Sequence, residues 1–207
     1  LKGADSLSPA LEEIVEIEHH DRTVSDLVFD DDTASTVDTM QQRVENRDGP
    51  TVFYIAGEDG TGRDRLPGAL TDSGMPILRA RAEDVISDSE QLTRLFREAR
   101  LREGAIHIES LESVTKNENS DQREEQPDES SETESPSIDT IVEDLDNAPG
   151  NVFLSHTESW TPDVDLSSHH LETCECPFPD HDVRLAVWEE YAEEFADDSL
   201  VSHIATN

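Results

Sequence analysis

A glycine-rich segment is the part of the chain whose residue types and spacing are best suited to chemistry. It reads AGEDGTGRD at residues 56–64 and stands between an apolar stretch, TVFYIA, and a short predicted helix that ends near Leu70. Glycine-rich turns in this setting point backbone N–H groups at a phosphate, and the start of the following helix adds its positive end. The alternative is a glycine turn that joins a strand to a helix and binds nothing. We favour a phosphate-binding loop, with these candidate residues: Gly57, Gly60, Thr61, Gly62, Arg63 and Asp64.

Two positions of this loop differ from the usual pattern. Phosphate-binding loops of this kind continue with lysine, which reaches the phosphates, and then with serine or threonine, whose hydroxyl reaches magnesium. Here the two positions hold Arg63 and Asp64. Arginine keeps the positive charge but positions it differently, and a carboxylate at residue 64 repels phosphate. We therefore expect weak binding of ATP or ADP with magnesium at most.

A second group of residues has side chains that bind metals. Alternate residues of a strand share a face, so part of this group could converge. The spacing matches no strong zinc pattern, however, and a predicted strand already accounts for the segment. We therefore expect no metal site at these residues: His169, His170, Cys174, Cys176 and His181.

The elements that would position these residues alternate between strands and helices. Apolar, β-branched runs predict strands at 51–56, 76–80, 105–109, 151–155 and 171–176. Apolar residues at helical spacing predict helices at 9–20, 33–46, 88–101, 137–147 and 180–196, besides the short helix up to Leu70. Short strands that alternate with helices predict a five-stranded, mainly parallel sheet covered on both faces, which is an α/β fold.

Segment 115–137 interrupts this alternation. It consists almost entirely of charged, hydroxyl, amide and proline residues, which cannot bury enough apolar surface to offset the entropy of ordering. We predict a disordered acidic insertion within one domain, because the alternation needs the elements on both sides of it. Solvation is favoured over a partner-binding role.

The charge of the chain indicates its solvent. The 207 residues include 50 acidic and 15 basic ones, for a net charge of −35, and the excess acid is spread along the chain. Self-repulsion of this size is tolerable at high salt, where the screening length falls to about 3 Å at 1 M. We therefore predict a halophilic, cytoplasmic protein. The absence of a basic stripe argues against nucleic acid as a partner, and the lack of an apolar run of about 18 residues argues against a membrane.

Several segments, taken in order, resemble a module of the AAA ATPases. They are VSDLVFDDDTASTVDTMQQRV, GAIHIES, NVFLSHTES and PFPDHDVRLAVWEEYAEEF, and the glycines of the loop have the GxxGxG spacing of AAA-type P-loops. The chain is most similar to the winged-helix AAA ATPases of bacteria and archaea, and in particular to tandem proteins in which a degenerate module precedes an active one. The resemblance covers about residues 24–207 and is most specific at 50–64 and 177–188.

The resemblance implies a role for the end of the third predicted strand. The Walker B pair of the family, Asp then Glu, falls on Glu109 and Ser110. Glu109 keeps a carboxylate that could help to hold magnesium and is the one weak catalytic candidate. Ser110 lacks the base that would polarise water, so hydrolysis is not expected.

The resemblance also assigns residues near the last two predicted strands. The polar sensor positions fall on His156 and Thr157, and the arginine fingers fall on Ser168 and His169, which offer no guanidinium to a neighbouring subunit. Arg184 matches an arginine at the start of a helix, where a surface ion pair is the simpler role.

The fold implied by the resemblance is a P-loop NTPase three-layer sandwich. It would comprise a helical N-terminal extension (1–48), a degenerate AAA core (49–196) and the start of a truncated lid (197–207), with the lid domain itself absent. The implied function is that of a scaffold or regulatory partner, binding ATP at most, for an active AAA module of the same polypeptide or of neighbouring subunits. The alternative is a weak magnesium-dependent ATP hydrolase.

Overall fold

A mixed sheet of six short strands forms the centre of the molecule. The computed structural model describes residues 7–46, 48–115, 136–181 and 183–184. The strands lie in the order β1-β3-β4-β5-β2-β6, and all neighbours are parallel except β1, which pairs antiparallel with β3. Their bounds are β1 Val15–Glu18, β2 Thr51–Ala56, β3 Ile77–Arg81, β4 Ala105–Glu109, β5 Val152–His156 and β6 His170–Glu175.

In the described ranges, five α-helices with assigned bounds connect or cover these strands. They are α1 Asp31–Asn46, α2 Leu66–Leu70, α3 Ala82–Val85, α4 Ser89–Arg102 and α5 Ile138–Leu145. Side-chain oxygens accept hydrogen bonds from backbone N–H groups at the starts of the longer helices, as N-caps do. Asp30 accepts from Thr33 before α1, Asp88 from Glu90 before α4, and Ser137 from Thr140 before α5. Within the described residues, no helix is long and apolar enough to cross a membrane.

The two faces of the sheet carry separate hydrophobic cores. On one face, Phe53 and Ile55 of β2 pack with residues of α1 and α2. On the other face, Val52 and Tyr54 of the same strand belong to the core that includes α3, α4 and α5. Alternate residues of a strand point to opposite faces, so the unbroken apolar run of β2, in which all six residues are buried, follows from helices on both sides. The predicted α/β fold is confirmed at this level.

Two chain connections diverge at the carboxyl ends of the neighbouring strands β2 and β5. The connection that leaves β2 runs to α2 on one face, whereas the connection that leaves the adjacent β5 includes Trp160, Val164 and Leu166, which pack against the core of the other face. Adjacent strands whose connections diverge in this way mark the place where open α/β sheets bind ligands. The glycine-rich segment begins at this point.

The sequence-based element boundaries agree with the structure within two residues, with one exception. The predicted helix at 9–20 is wrong: residues 9–14 form turns, and Val15–Glu18 is the edge strand β1. The N-terminal segment is therefore not wholly helical, and the sheet has six strands rather than five. Predictions for 116–135, for most of the helix at 180–196 and for 197–207 lie outside the described residues.

Candidate functional site

The glycine-rich loop depends on a close approach between two segments of backbone. A Cβ atom on Gly57 would lie 2.4 Å from the carbonyl oxygen of Cys176 and 2.8 Å from the hydroxyl of Thr61. The N–H of Gly57 donates to the carbonyl of His156 over 3.0 Å, and that of Cys176 donates to Ala56 over 2.7 Å. Glycine at position 57 is therefore required by space, which explains part of the sequence pattern without any ligand.

The turn that follows is stabilised by its own backbone. Thr61 donates to the carbonyl of Glu58 through its hydroxyl, over 2.8 Å, and through its N–H, over 3.3 Å. Gly60 and Gly62 have φ angles of 89° and 93°, in the left-handed region that glycine enters at little cost. Gly62 lies directly before a short 3-10 turn, Arg63–Arg65, that leads into α2.

The side chain of Arg63 folds back into this loop. The residue is 4% exposed, and its guanidinium donates to the carbonyl oxygen of Gly57 and, over 2.8 Å, to the carboxylate of Asp59. Its Nε lies 3.4 Å from the carboxylate of Asp64, which is a longer and weaker contact. The cation expected to reach a phosphate is therefore already bound by oxygen atoms of the loop.

The charges around the loop oppose an anionic ligand. Carboxylates at Glu58, Asp59 and Asp64 surround Arg63 and Arg65, so residues 57–65 carry more negative than positive charge. The Asp59 side chain is 92% exposed and bonded to Arg63, so a phosphate that approached Arg63 would also meet this carboxylate. Of the predicted loop residues, Thr61 and Arg63 each lie against Gly57, and Asp64 remains at the surface.

Glu109, at the carboxyl end of β4, is paired with an arginine. Arg79 of β3 donates to the Glu109 carboxylate over 2.8 Å and to Glu18 of β1 over 2.9 Å. Burial opposes the charge on Arg79, but the hydrogen bonds to both carboxylates outweigh burial and raise the pKa of its guanidinium. Likewise, burial acts to raise the pKa of Glu18, while hydrogen bonds from Arg79 and His20 lower it overall. Glu109 is thus held by Arg79, two strand spacings (roughly 10 Å) from the end of β2.

Sequence analysis missed this ion network. Arg79 and Glu18 carry no motif, and they meet Glu109 only because the register brings β1, β3 and β4 together. Asp59 could have been identified from the sequence as an ion-pair partner of Arg63, since it stands four residues before it. Ser110, beside Glu109, has the left-handed φ and ψ angles of 58° and 47° and starts a 3-10 turn, Leu111–Ser113.

His156 contacts the loop through its backbone, not its ring. Its Nδ1 accepts the N–H of Glu158 over 2.8 Å, so in the neutral ring Nε2 carries the proton and donates to the hydroxyl of Thr115, 3.2 Å away. Burial lowers the pKa of this imidazole. The predicted sensor residue therefore turns away from the loop, and Thr157 follows it after the end of β5.

Ser168 and His169 lie at the opposite end of the sheet. Asp146 accepts backbone hydrogen bonds from Ser167, Ser168 and His169 over 2.8, 2.8 and 2.9 Å. The ring of His169 also contacts the carbonyl oxygens of Asp146 and Gly150, each at 3.1 Å. These residues precede β6, whose first residue pairs with the first residue of β2, so a strand length separates them from the glycine loop.

The structure does not bring the five residues considered as metal ligands together as one group. His169 is bound at Asp146, the His170 ring contacts the carbonyl of Asp48 at 2.9 Å, and the cysteines are buried against β2. In the described part of the chain, no three His, Cys, Asp or Glu residues form a group that could hold a metal ion. Arg184 is exposed, with one guanidinium nitrogen 3.4 Å from the carbonyl oxygen of Pro179.

Comparison with known proteins adds no relative to this description. No family model matches the chain, and a search among curated proteins gives no match either.

Proposed function

We propose that this chain is a non-hydrolysing, P-loop-like module of the AAA class that acts as a scaffold or regulatory partner. Its partner would be an active AAA module of the same polypeptide or of neighbouring subunits. The observation that carries the proposal is the Arg63 guanidinium, buried within the loop and bonded to Gly57 and Asp59.

The position of the loop supports the P-loop part of the proposal. The loop follows β2 at the divergence of two connections, which is where α/β sheets bind phosphate-containing ligands, and it keeps the left-handed glycines at 60 and 62. The three-layer arrangement of the P-loop NTPases would place helices on both faces of such a sheet. These features support the proposed P-loop ancestry, whereas the chemistry depends on the side chains.

The side chains support the absence of hydrolysis. A phosphate would have to displace Arg63 from two oxygen partners and approach three carboxylates. Magnesium would have to compete with Arg79 for Glu109, and Ser110 supplies no carboxylate to activate water. Each obstacle acts on a different part of the reaction, so no single substitution would restore it.

An ATPase assay of the 207-residue chain in molar potassium chloride tests this proposal. We expect no release of phosphate above that of buffer with magnesium and ATP, and no saturable heat when a nonhydrolysable ATP analogue is titrated at millimolar concentration. Arg63→Ala should be as inactive as the wild type. Arg65→Ala is the matched control, because Arg65 is a nearby arginine that is exposed, and it should be inactive as well. Turnover in the wild type that Arg63→Ala abolishes and Arg65→Ala retains would establish the alternative, a weak magnesium-dependent ATP hydrolase.

A further inference from the structure

The imidazole of His156 has one nitrogen that accepts a hydrogen bond and one that donates. Nδ1 lies 2.8 Å from the backbone nitrogen of Glu158 and accepts its N–H. Nε2 lies 3.2 Å from the hydroxyl oxygen of Thr115, which itself donates to the carbonyl of Leu111 over 3.2 Å. Because a hydroxyl has only one proton to donate, Nε2 carries the hydrogen of its contact with Thr115. The structure therefore accommodates the neutral ring with its proton on Nε2.

The neighbours of this ring belong to β2 and to the segment that follows β5. The ring centroid of Tyr54, on β2, lies 6.0 Å from that of His156 and 5.1 Å from that of Trp160. The Tyr54 hydroxyl donates to the carbonyl of Glu158 over 2.8 Å. On the other side of the strand end, the Gly57 N–H donates to the His156 carbonyl over 3.0 Å. The backbone of Glu158 is thus bound through both its N–H and its carbonyl, next to the start of the glycine-rich loop.

Protonation of the His156 ring is incompatible with one of these bonds. An imidazolium has a hydrogen on both nitrogens and no acceptor. The new hydrogen on Nδ1 and the Glu158 N–H would therefore point at each other across a contact of 2.8 Å. Two donors cannot share this geometry, so either the ring or the backbone at Glu158 has to move.

The charged groups around His156 act on its ring in opposite directions. Burial, the largest effect, lowers the pKa of the imidazole, and the guanidinium of Arg63 also lowers it, whereas the carboxylates of Glu112 and Glu158 act to raise it. The pKa of the ring is lowered overall from its usual value of about 6.5. Burial and the same two carboxylates raise the pKa of the Tyr54 hydroxyl, so this group stays a neutral donor while His156 titrates.

Glu112 provides an acceptor that only the protonated ring can use. It lies in the 3-10 turn Leu111–Ser113, and its Oε2 is buried without a hydrogen-bond partner among the described residues. Buried polar atoms without a partner are uncommon, and the imidazole of His156 already experiences the attraction of this carboxylate. The neutral ring has no further N–H to offer, because its Nε2–H is bonded to Thr115. An imidazolium gains a second donor at Nδ1.

We propose that His156 is a pH-sensitive switch for residues 157–160: when the ring takes up a proton from solvent, it releases the Glu158 N–H and donates to the Glu112 carboxylate instead. Residues 157–160 then keep only the bond at the Glu158 carbonyl, and the surroundings of Trp160 change. The switch lies beside the start of the glycine-rich loop, but it does not rest on the function proposed above.

The test is an NMR titration of the chain from pH 8 to pH 4 in molar potassium chloride. The ring nitrogens of His156 report its protonation, and the Glu158 amide and the Trp160 indole report the state of residues 157–160. We expect the three signals to change together, with one midpoint below pH 6.5. The proposal is overturned if the Glu158 amide does not respond while the ring titrates, or if the ring stays neutral until the protein unfolds.

Two variants separate the parts of the switch. His156→Asn keeps an acceptor for the Glu158 N–H but does not titrate, so it should abolish the coupled change of the amide and the indole. Glu112→Gln removes the charge that favours the imidazolium, and it should lower the midpoint by about one pH unit. A coupled change that persists in His156→Asn, or an unchanged midpoint in Glu112→Gln, would contradict the proposal.

Two controls match these variants. His107→Gln replaces another buried imidazole, which is bonded to Ser155 and not to Glu158. Glu143→Gln removes one negative charge from an exposed position on α5. Both should leave the midpoint of His156 unchanged, and a shift in either as large as that in Glu112→Gln would count against the assigned pair. Dispersed amide spectra show that each variant is folded.

Discussion

The guanidinium of Arg79 lies against the carboxylate of Glu109, with Nε donating to Oε2 over 2.8 Å. The same guanidinium reaches Glu18 on the edge strand β1, so one cation joins three strands. This arrangement explains why two charged residues, Arg79 and Glu109, each follow a buried apolar residue in their strands. It also means that a metal ion would have to displace Arg79 from the Glu109 carboxylate before binding there.

Replacing Arg79 with methionine should destabilise the fold. The substitution keeps much of the aliphatic packing but leaves two part-buried carboxylates, on Glu18 and Glu109, without their shared cation. We expect a loss of roughly 1–3 kcal/mol in the free energy of unfolding, below the range for fully buried pairs because the Arg79 side chain is 34% exposed. Denaturant unfolding at constant salt measures it.

Arg81→Met is the control for this prediction. Arg81 is on the same strand, but its side chain is 65% exposed and its contacts with Glu83 and Glu109 are 3.6 and 3.9 Å long. Its replacement should change the free energy of unfolding by under about 0.5 kcal/mol. Equal losses for the two variants would show that the network contributes no more than an ordinary surface pair.

Alanine at Gly57 should be far more harmful than alanine at Gly60. The new Cβ at position 57 would meet the backbone of Cys176, and we expect a loss of roughly 3 kcal/mol through forced backbone shifts. At position 60 the Cβ meets nothing within 4 Å, so only the left-handed backbone opposes it, at about 1 kcal/mol. Thermal unfolding of the two variants compares these costs; a larger loss at Gly60 would contradict the close approach of Gly57 and Cys176.

Stability should fall with pH below neutrality in a way that depends on His107. Its Nε2 lies 2.8 Å from the hydroxyl of Ser155, and burial, with Arg79 nearby, lowers the pKa of His107 to about 3. The unfolded chain takes up this proton near pH 6.5, whereas the folded protein does not. The contribution is therefore complete above pH 6.5 and declines toward pH 3, by about 1.4 kcal/mol per pH unit.

Two variants isolate the His107 contribution. His107→Gln can still bond to Ser155 and should remove one proton from the pH dependence of unfolding between pH 6.5 and 3. Ser155→Ala takes away the hydrogen bond but keeps the buried imidazole, so it should destabilise the protein while the pH dependence persists. Unfolding free energies at several pH values give both quantities, and an unchanged slope in His107→Gln would refute the assignment.

Asp146 should be important for attaching β6 to the sheet. Its carboxylate accepts three backbone N–H groups, from residues 167–169. Burial acts to raise its pKa, but these hydrogen bonds outweigh burial and lower it, so its contribution is present above about pH 3.8 and is lost as pH falls further. Asp146→Ala should cost roughly 1–3 kcal/mol at neutral pH, as measured by chemical unfolding.

Asp144→Ala provides the comparison for Asp146. Asp144 lies two residues earlier, in the last turn of α5, and is exposed, so its loss should be within about 0.5 kcal/mol of zero. Hydrogen exchange of residues 170–175 should also be faster in Asp146→Ala than in Asp144→Ala. Equal exchange in the two variants would show that the carboxylate does not hold this strand.

Three of the parallel strands, β2, β4 and β5, could be predicted because nearly all of their residues are buried on both faces. The run TVFYIA has no exposed face to confuse the assignment. The edge strand β1 was missed for the opposite reason: in VEIE, only Val15 is buried, and the apolar residues at 11, 14, 15 and 17 fit a helical period equally well. Its pairing with β3 depends on residues sixty positions away, which local periodicity does not detect.

The candidate site was predictable in position but not in conformation. Glycine spacing after a buried strand predicted where the loop lies, because glycine is the residue that adopts the positive φ angles of such turns at little cost. The direction of the Arg63 side chain depends on where Gly57 and Asp59 place their oxygens, and the partner of Glu109 depends on strand register. Neither could be derived from residue types alone.

The placement of β2 between β5 and β6 has a consequence for synthesis of the chain. After β2 has left the ribosome it lacks both of its parallel neighbours until β5 and β6 have followed, since Val52 pairs with Val152 and Leu171. Contacts so distant in sequence make folding slow. In the meantime the apolar segment TVFYIA remains unpaired and prone to aggregation. The nascent protein should therefore depend on chaperones until β6 has emerged.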